Sequence, residues 1–251
     1  MRIVVSFAVR SEFAPWRRLE TFERRSQSGP PIYVTKIGGA EVHVMIGGIG
    51  TRGVATLGKL LRERPHMCVV TGLAGSLKSD YAVGSVVVAK TIKHDKAEKV
   101  TTSDDSLLEL AVHCGATRVG SFLTADAVVT SASEKYRLGA AADAVEMESF
   151  HLIAEARRFG VPAVAVRAIS DGVDEDLPLD FNRTINGDGG FEWLPALSQV
   201  VSAPARLPRL VRFGFETSKA ARSLARFLDR YLKCLIAQAD LRLDAERVEV
   251  R

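Results

Sequence analysis

The segment from Asp143 to Asp171, DAVEMESFHLIAEARRFGVPAVAVRAISD, constrains the fold most, because two short apolar runs flank a helical one. Its pattern gives a strand ending at Glu146-Met147-Glu148, a helix over 149–159, a Gly160-Val161-Pro162 turn and a buried strand over 163–169 that stops at Ser170-Asp171. In a parallel α/β sheet, ligands collect at the edge formed by the strand C-termini. Glu148 and Asp171 are both expected there, so this unit brings two carboxylates to one rim.

The same alternation runs through the rest of the chain. An apolar run at 2–9 is followed by Ser11-Glu12 and a helical pattern at 13–22. Residues 32–37 and 41–46 flank Gly38-Gly39 as a hairpin, and a helix at 51–64 follows Gly47, Gly48 and Gly50. Strands are expected at 67–71, 85–89 and 117–123 and helices at 107–114 and 133–141, with 91–103 as a loop or edge hairpin. Beyond Asp171, residues 172–190 read as a loop or lid, 191–201 and 215–236 as helices, and 240–251 as a charged tail. With 251 residues, 47% of them hydrophobic, the chain can bury a large core. A single α/β domain over 1–251 is therefore expected, with a basic helical C-terminal part from about 190.

Several classes are disfavoured. No apolar run approaches the roughly 20 residues of a membrane span, and MRIVVSFAVR lacks the plan of a signal peptide. A cytoplasmic protein is expected, and Cys68, Cys114 and Cys234, far apart and without a CxxC pair, fit reduced thiols. The five histidines show no ligand spacing, so no metal is expected, and no GxSxG elbow or GxxxxGK loop is present. Gly48-Ile49-Gly50-Thr51-Arg52-Gly53 matches GxGxxG, yet the position that should carry a ribose-binding acid reads Val70-Thr71-Gly72. A nicotinamide cofactor is not expected, nor any other. The net charge of +4 is modest, and no nucleic-acid partner is expected. Basic residues crowd the C-terminal helix, with Arg222, Arg226 and Arg230 four apart; this face is either solvated or in peripheral contact with a membrane.

Glu12, Glu148 and Asp171 all follow apolar strands and should share one sheet edge. Arg167 interrupts the strand AVAVRAI, and a guanidinium there needs a carboxylate or ligand to offset its burial. Thr71-Gly72-Leu73-Ala74-Gly75 is a glycine-rich turn that either offers backbone amides to a ligand or simply ends its strand.

Together, VEMES, the helix after it and GVPAVAVRAISD resemble the nucleoside phosphorylase and nucleosidase superfamily, nearest its methylthioadenosine/adenosylhomocysteine nucleosidases. GGIG at 47–50, TGLAGSL at 71–77 and VGSVVV at 83–88 add to the match. The resemblance implies a three-layer α/β/α fold with a central mixed, partly closed sheet, cleavage of a purine N-glycosidic bond, no metal, and a homodimer or larger homo-oligomer. It implies Asp171 as general acid on the base, Glu12 as the residue acting on water, and Arg167 steadying the carboxylates. It implies substrate contacts from Met147, Glu148, Gly72, Leu73, Val128, Val129 and Ser170. Leu73 stands where the nucleosidases carry Ser, and Val128-Val129 where they carry an aromatic. Hydrolysis, phosphorolysis, action on an adenosylated hopanoid lipid, and an inactive nucleoside-binding homologue all remain open readings of the sequence.

Overall fold

A computed structural model describes residues 1–25, 29–96, 99–179 and 207–249. The first half comprises β1 (Arg2–Phe7), α1 (Arg10–Phe13), β2 (Glu23–Arg24), β3 (Ile32–Ile37), β4 (Ala40–Ile46), α2 (Gly53–Leu61), β5 (Met67–Ser76) and β6 (Val86–His94). The second comprises β7 (Val100–Thr102), α3 (Asp105–His113), β8 (Thr117–Thr124), α4 (Ala132–Leu138), β9 (Ala144–Glu146), α5 (Ser149–Arg158), β10 (Ala163–Asp171) and α6 (Leu207–Glu249).

The strands form one mixed sheet in the order β10-β6-β8-β9-β5-β1-β4-β3-β2, and β10 also pairs with β5. That extra pairing closes β10, β6, β8, β9 and β5 into a ring, with the other strands continuing outward from β5. The β10/β5, β6/β8 and β8/β9 pairs are parallel, whereas β10/β6 and β5/β9 are antiparallel. Alternation along β1 sends Ile3, Val5 and Phe7 to one apolar cluster and Val4 to another. The first cluster is covered by α3 and α6 through residues such as Leu108, Leu224, Phe227 and Tyr231. The second lies under α2 and α5, through Leu57, Leu61, Leu152 and Ile153. Helices on both faces of a partly closed mixed sheet make the three-layer α/β/α architecture that the resemblance implies.

Several expected elements differ. The helix read at 13–22 is a single α turn, α1, and a 3-10 turn at Trp16–Arg18. Pro15 lacks the N–H that would continue it. The apolar spacing there serves an aromatic cluster instead, with ring centroids of Phe13 and Phe22 4.9 Å apart and of Trp16 and Phe22 5.1 Å apart. The strand at 67–71 runs on to Ser76, because Gly72–Gly75 pair with Arg167–Asp171 of β10, and Gly75 pairs with Val145 of β9. The glycine-rich stretch is therefore strand and not the expected turn. The segment read as loop or edge hairpin is the β6–β7 hairpin. Helix α6 begins at Leu207 instead of 215, with Pro208 in its first turn, where a missing N–H costs nothing. The helix expected at 191–201 lies outside the described residues, as does most of the 172–190 loop. Arg222, Arg226 and Arg230 lie on the exposed face of α6, opposite Leu224, Phe227, Leu228 and Tyr231.

Candidate active site

Three carboxylates meet where β1, β9 and β10 end. Glu12 and Asp171 follow β1 and β10, both parallel to β5, as the sequence suggested, whereas β9 is parallel to β8 but antiparallel to β5, so Glu148 approaches β5 from the opposite direction. It is the overshoot of β5 past Thr71 that draws β9 on one side and β10 on the other toward a common point.

Glu12, Glu148 and the neighbouring Glu146 are each held by backbone donors. Glu12, in the only turn of α1, accepts from Ala8 N and Val9 N through Oε2 at 3.1 and 3.2 Å, and from Leu73 N through Oε1 at 3.0 Å. Burial pushes its proton affinity above the usual carboxylate range, against Arg167 and those three N–H groups. Glu148 accepts from Gly50 N at 3.0 Å. Burial drives its pKa up to about 8, with Glu146 and Glu12 adding like-charge repulsion and Arg167 opposing. Glu146, whose site role the sequence did not disclose, accepts from the N–H groups of Glu148 and Ser149 at 2.9 and 2.7 Å and from the Thr124 hydroxyl. It thus closes the N-terminus of α5 with a negative charge.

Arg167 is fully buried behind these acids. Its Nη2 donates to Glu146, to Ser149 Oγ at 2.8 Å, and lies 3.5 Å from Glu148 Oε2. Its Nε also faces Ser149 Oγ, at 3.2 Å. Nη1 has no hydrogen-bond partner among the described residues and lies near Gly72 and Glu12. Only a glycine fits there, since a Cβ on residue 72 would lie 2.3 Å from that nitrogen.

Asp171 reaches the site through a β-bulge between Ile169 and Asp171, which breaks the two-residue period so that Ser170 and Asp171 both face the cavity. Its Oδ1 lies 2.6 Å from Ser170 Oγ, and its Oδ2 accepts from Lys135 Nζ of α4 at 2.5 Å. The sequence reading gave Asp171 burial alone; the structure adds an ammonium in contact with it. A Cβ at Gly75 would lie 2.9 Å from Oδ2, so this glycine makes room for the carboxylate.

These groups line a cavity of about 350 Å³, the size of a small-molecule site. Of the residues singled out from the sequence, Glu12, Leu73, Val128, Val129, Met147, Glu148, Ser170 and Asp171 line it. Gly72 and Arg167 do not; they sit one layer behind. Leu73 lines the cavity while its N–H donates to Glu12. The sequence gave no sign of Phe213 and Thr217 from α6, or of Ile49 and Leu177, which complete the wall. Glu146 had a signal: an arginine inside an apolar strand requires a buried acid, and EME offers two. Lys135 had none, since a lysine beside Glu134 in a short helix reads as solvated.

Beside the cavity, His94, Asp126 and His151 bring their ligand atoms within 4.8 Å of one another, a grouping that sequence spacing conceals. Lys96 Nζ engages the Asp126 carboxylate at 2.8 Å, so this cluster already holds its own cation.

The ring of strands and the carboxylate-lined cavity define an α/β enzyme class. Within that class, the chain belongs to the phosphorylase superfamily, whose family model matches residues 2–188. Similar solved structures include native futalosine hydrolase of Helicobacter pylori, with 21% identity, a TM-score of 0.71, and 92% of this chain and 97% of that one covered. The 5′-methylthioadenosine/S-adenosylhomocysteine nucleosidase of the same organism, solved with butyl-thio-DADMe-Immucillin-A, is 22% identical, with a TM-score of 0.72 over 92% and 97% of the two chains. That of Campylobacter jejuni is 17% identical, with a TM-score of 0.71 over 93% and 99%.

Proposed function

We propose that this enzyme cleaves the N-glycosidic bond of a purine nucleoside, a 5′-substituted adenosine in the first instance, with water as the acceptor. The observation that carries the choice of water is the charge of the cavity. Every ionisable side chain among its described lining residues is a carboxylate: Glu12, Glu146, Glu148 and Asp171. Phosphate would enter among these acids, and no cationic side chain is among the described lining residues to receive it. The same acids suit a ribosyl group that gains positive charge as its bond to the base breaks.

In this mechanism the C1′–N9 bond breaks with its electron pair passing to the purine, and Asp171 transfers a proton to N7 of the leaving base. Glu148 accepts hydrogen bonds from the ribose 2′- and 3′-hydroxyls, while Met147 lies against the sugar. Water adds to C1′ and gives its proton to Glu12, whose burial raises its basicity for that task. Arg167, buried one layer behind the cavity, steadies the Glu12 carboxylate through its positive charge. Among the described lining residues the aromatic ring is Phe213, not a residue at 128 or 129.

The test is release of free base from methylthioadenosine, adenosylhomocysteine, adenosine and inosine, with and without phosphate. Equal release in both buffers, abolished by Asp171→Asn, is the expected result. Release that requires phosphate would move the assignment to phosphorolysis, and activity retained in Asp171→Asn would remove it.

A peripheral lipid contact through the start of α6 is a second proposal. Leu207, Val211 and Phe215, four residues apart, are 50%, 51% and 69% exposed on the helix that supplies Phe213 to the cavity. Vesicle binding tests it.

A further inference from the structure

We propose that Lys135 is a positioning residue of the reaction: its ammonium orients the Asp171 carboxylate, sets the pH range over which that group protonates the leaving base, and locks it to the loop that follows β10. This rests on the reading of Asp171 as the acid. No side-chain nitrogen in the described structure is more thoroughly committed. Lys135 is fully buried, and Nζ spends its three donors on Asp171 Oδ2 at 2.5 Å, Gly172 O at 2.8 Å and Glu175 O at 2.8 Å. A lysine buried this completely is uncommon, and removing its charge partner would be costly.

The geometry divides the two oxygens of Asp171. Oδ2 is turned to α4 by Lys135, and Oδ1 lies beside Ser170. The carboxylate is therefore pinned on one side in a fixed plane, which is what proton delivery to a ring nitrogen needs. The Gly172 and Glu175 carbonyls bind the same ammonium, so displacement of the loop from 172 to 177 would displace the acid. Other clips join that loop to its surroundings: Leu177 N to Thr130 O at 2.8 Å, Ala132 N to Asp176 Oδ1 at 2.8 Å, and the Tyr136 hydroxyl to Asp174. These staple the loop without touching Asp171.

The charges around Asp171 fix the sign of the effect. Lys135 is the cation in contact, from α4. Glu12, Glu146 and Glu148 face it across the cavity, with Arg167 behind them. From α6, Arg212 reaches Glu175 at 2.5 Å and Glu216 at 2.8 Å, not Asp171. Removing Lys135 takes away the cation in contact and leaves the facing acids, and a carboxylate that loses a contacting cation keeps its proton to higher pH.

The experiment is the pH profile of kcat for base release by wild type, Lys135→Met and Lys135→Gln, with Tyr136→Phe and Asp176→Ala as loop controls. Both Lys135 variants should lose roughly tenfold or more of kcat near neutral pH, as misplaced catalytic groups do. Their alkaline limb should move to higher pH by about one unit or more. The two controls should keep the wild-type limb whatever their rate. A Lys135 variant that folds, by circular dichroism and thermal midpoint, yet keeps the wild-type limb overturns the proposal. So does the same limb shift in the controls, because loop looseness would then explain it. If Lys135→Met fails to fold, Lys135→Gln carries the comparison; if neither folds, Lys135→Arg decides, since its retained charge must keep the wild-type limb. Asp171→Asn separates the two readings: activity there defeats the assignment of the acid, whereas an inactive Asp171→Asn with an unmoved Lys135 limb defeats only the role of Lys135.

Discussion

At the residue scale the protein stores its tension in Glu148. Its pKa of about 8, against an ordinary 4.5, means that the folded state holds a proton the unfolded chain would release. The linkage follows directly. Stability from this group is complete below pH 4.5 and is lost as pH rises toward about 8, because above that the buried carboxylate must carry charge. Glu12 is shifted the same way and adds to the trend. Wild type should therefore lose on the order of 1 kcal/mol or more of unfolding free energy between mildly acidic and mildly alkaline pH. Glu148→Gln should flatten that decline, read from urea midpoints across the range; a wild-type curve already flat would refute it. The acids were legible in the sequence because each follows an apolar run. Their mutual distances were not, since these depend on strands far apart in the chain.

The element that matters most for the site is the junction of β9 and α5. Glu146 ends the strand, accepts from the first N–H groups of the helix, and neutralises a guanidinium that has no access to solvent. Truncating it to alanine leaves Arg167 buried without its closest partner, which should cost about 3–5 kcal/mol. Equilibrium unfolding of Glu146→Ala measures this, and a loss under ~1 kcal/mol would show that water or Glu148 substitutes. Sequence periodicity found β10 and α5 nearly residue for residue, because both are long and strongly patterned. It misread β5, where Gly72 and Gly75 look like terminators. They are strand residues because neighbours on both sides approach too closely for a side chain, Arg167 at one and Asp171 at the other.

At the scale of the molecule, α6 joins surface to core. Its inner face, with Leu224, Phe227, Leu228 and Tyr231, covers the sheet, while Leu207, Val211 and Phe215 remain outside. Co-sedimentation with anionic vesicles at low salt should capture the full chain, and Phe215→Glu should reduce capture severalfold by placing a charge in the apolar stripe. Absence of binding at low salt would remove the lipid contact. The amphipathic core of this helix was visible in the sequence, but not its early start, since Pro204 and Pro208 looked like breaks. The closed ring of strands has a further consequence. Glu12, Glu146, Glu148, Arg167 and Asp171 are all placed by β5 and the strands paired around it. Val128 and Val129 sit on a loop after β8, and Phe213 on a helix outside the ring. Those positions lie outside that bonded set. A lineage built on this scaffold can redecorate the cavity wall while inheriting its carboxylate cluster as a single block.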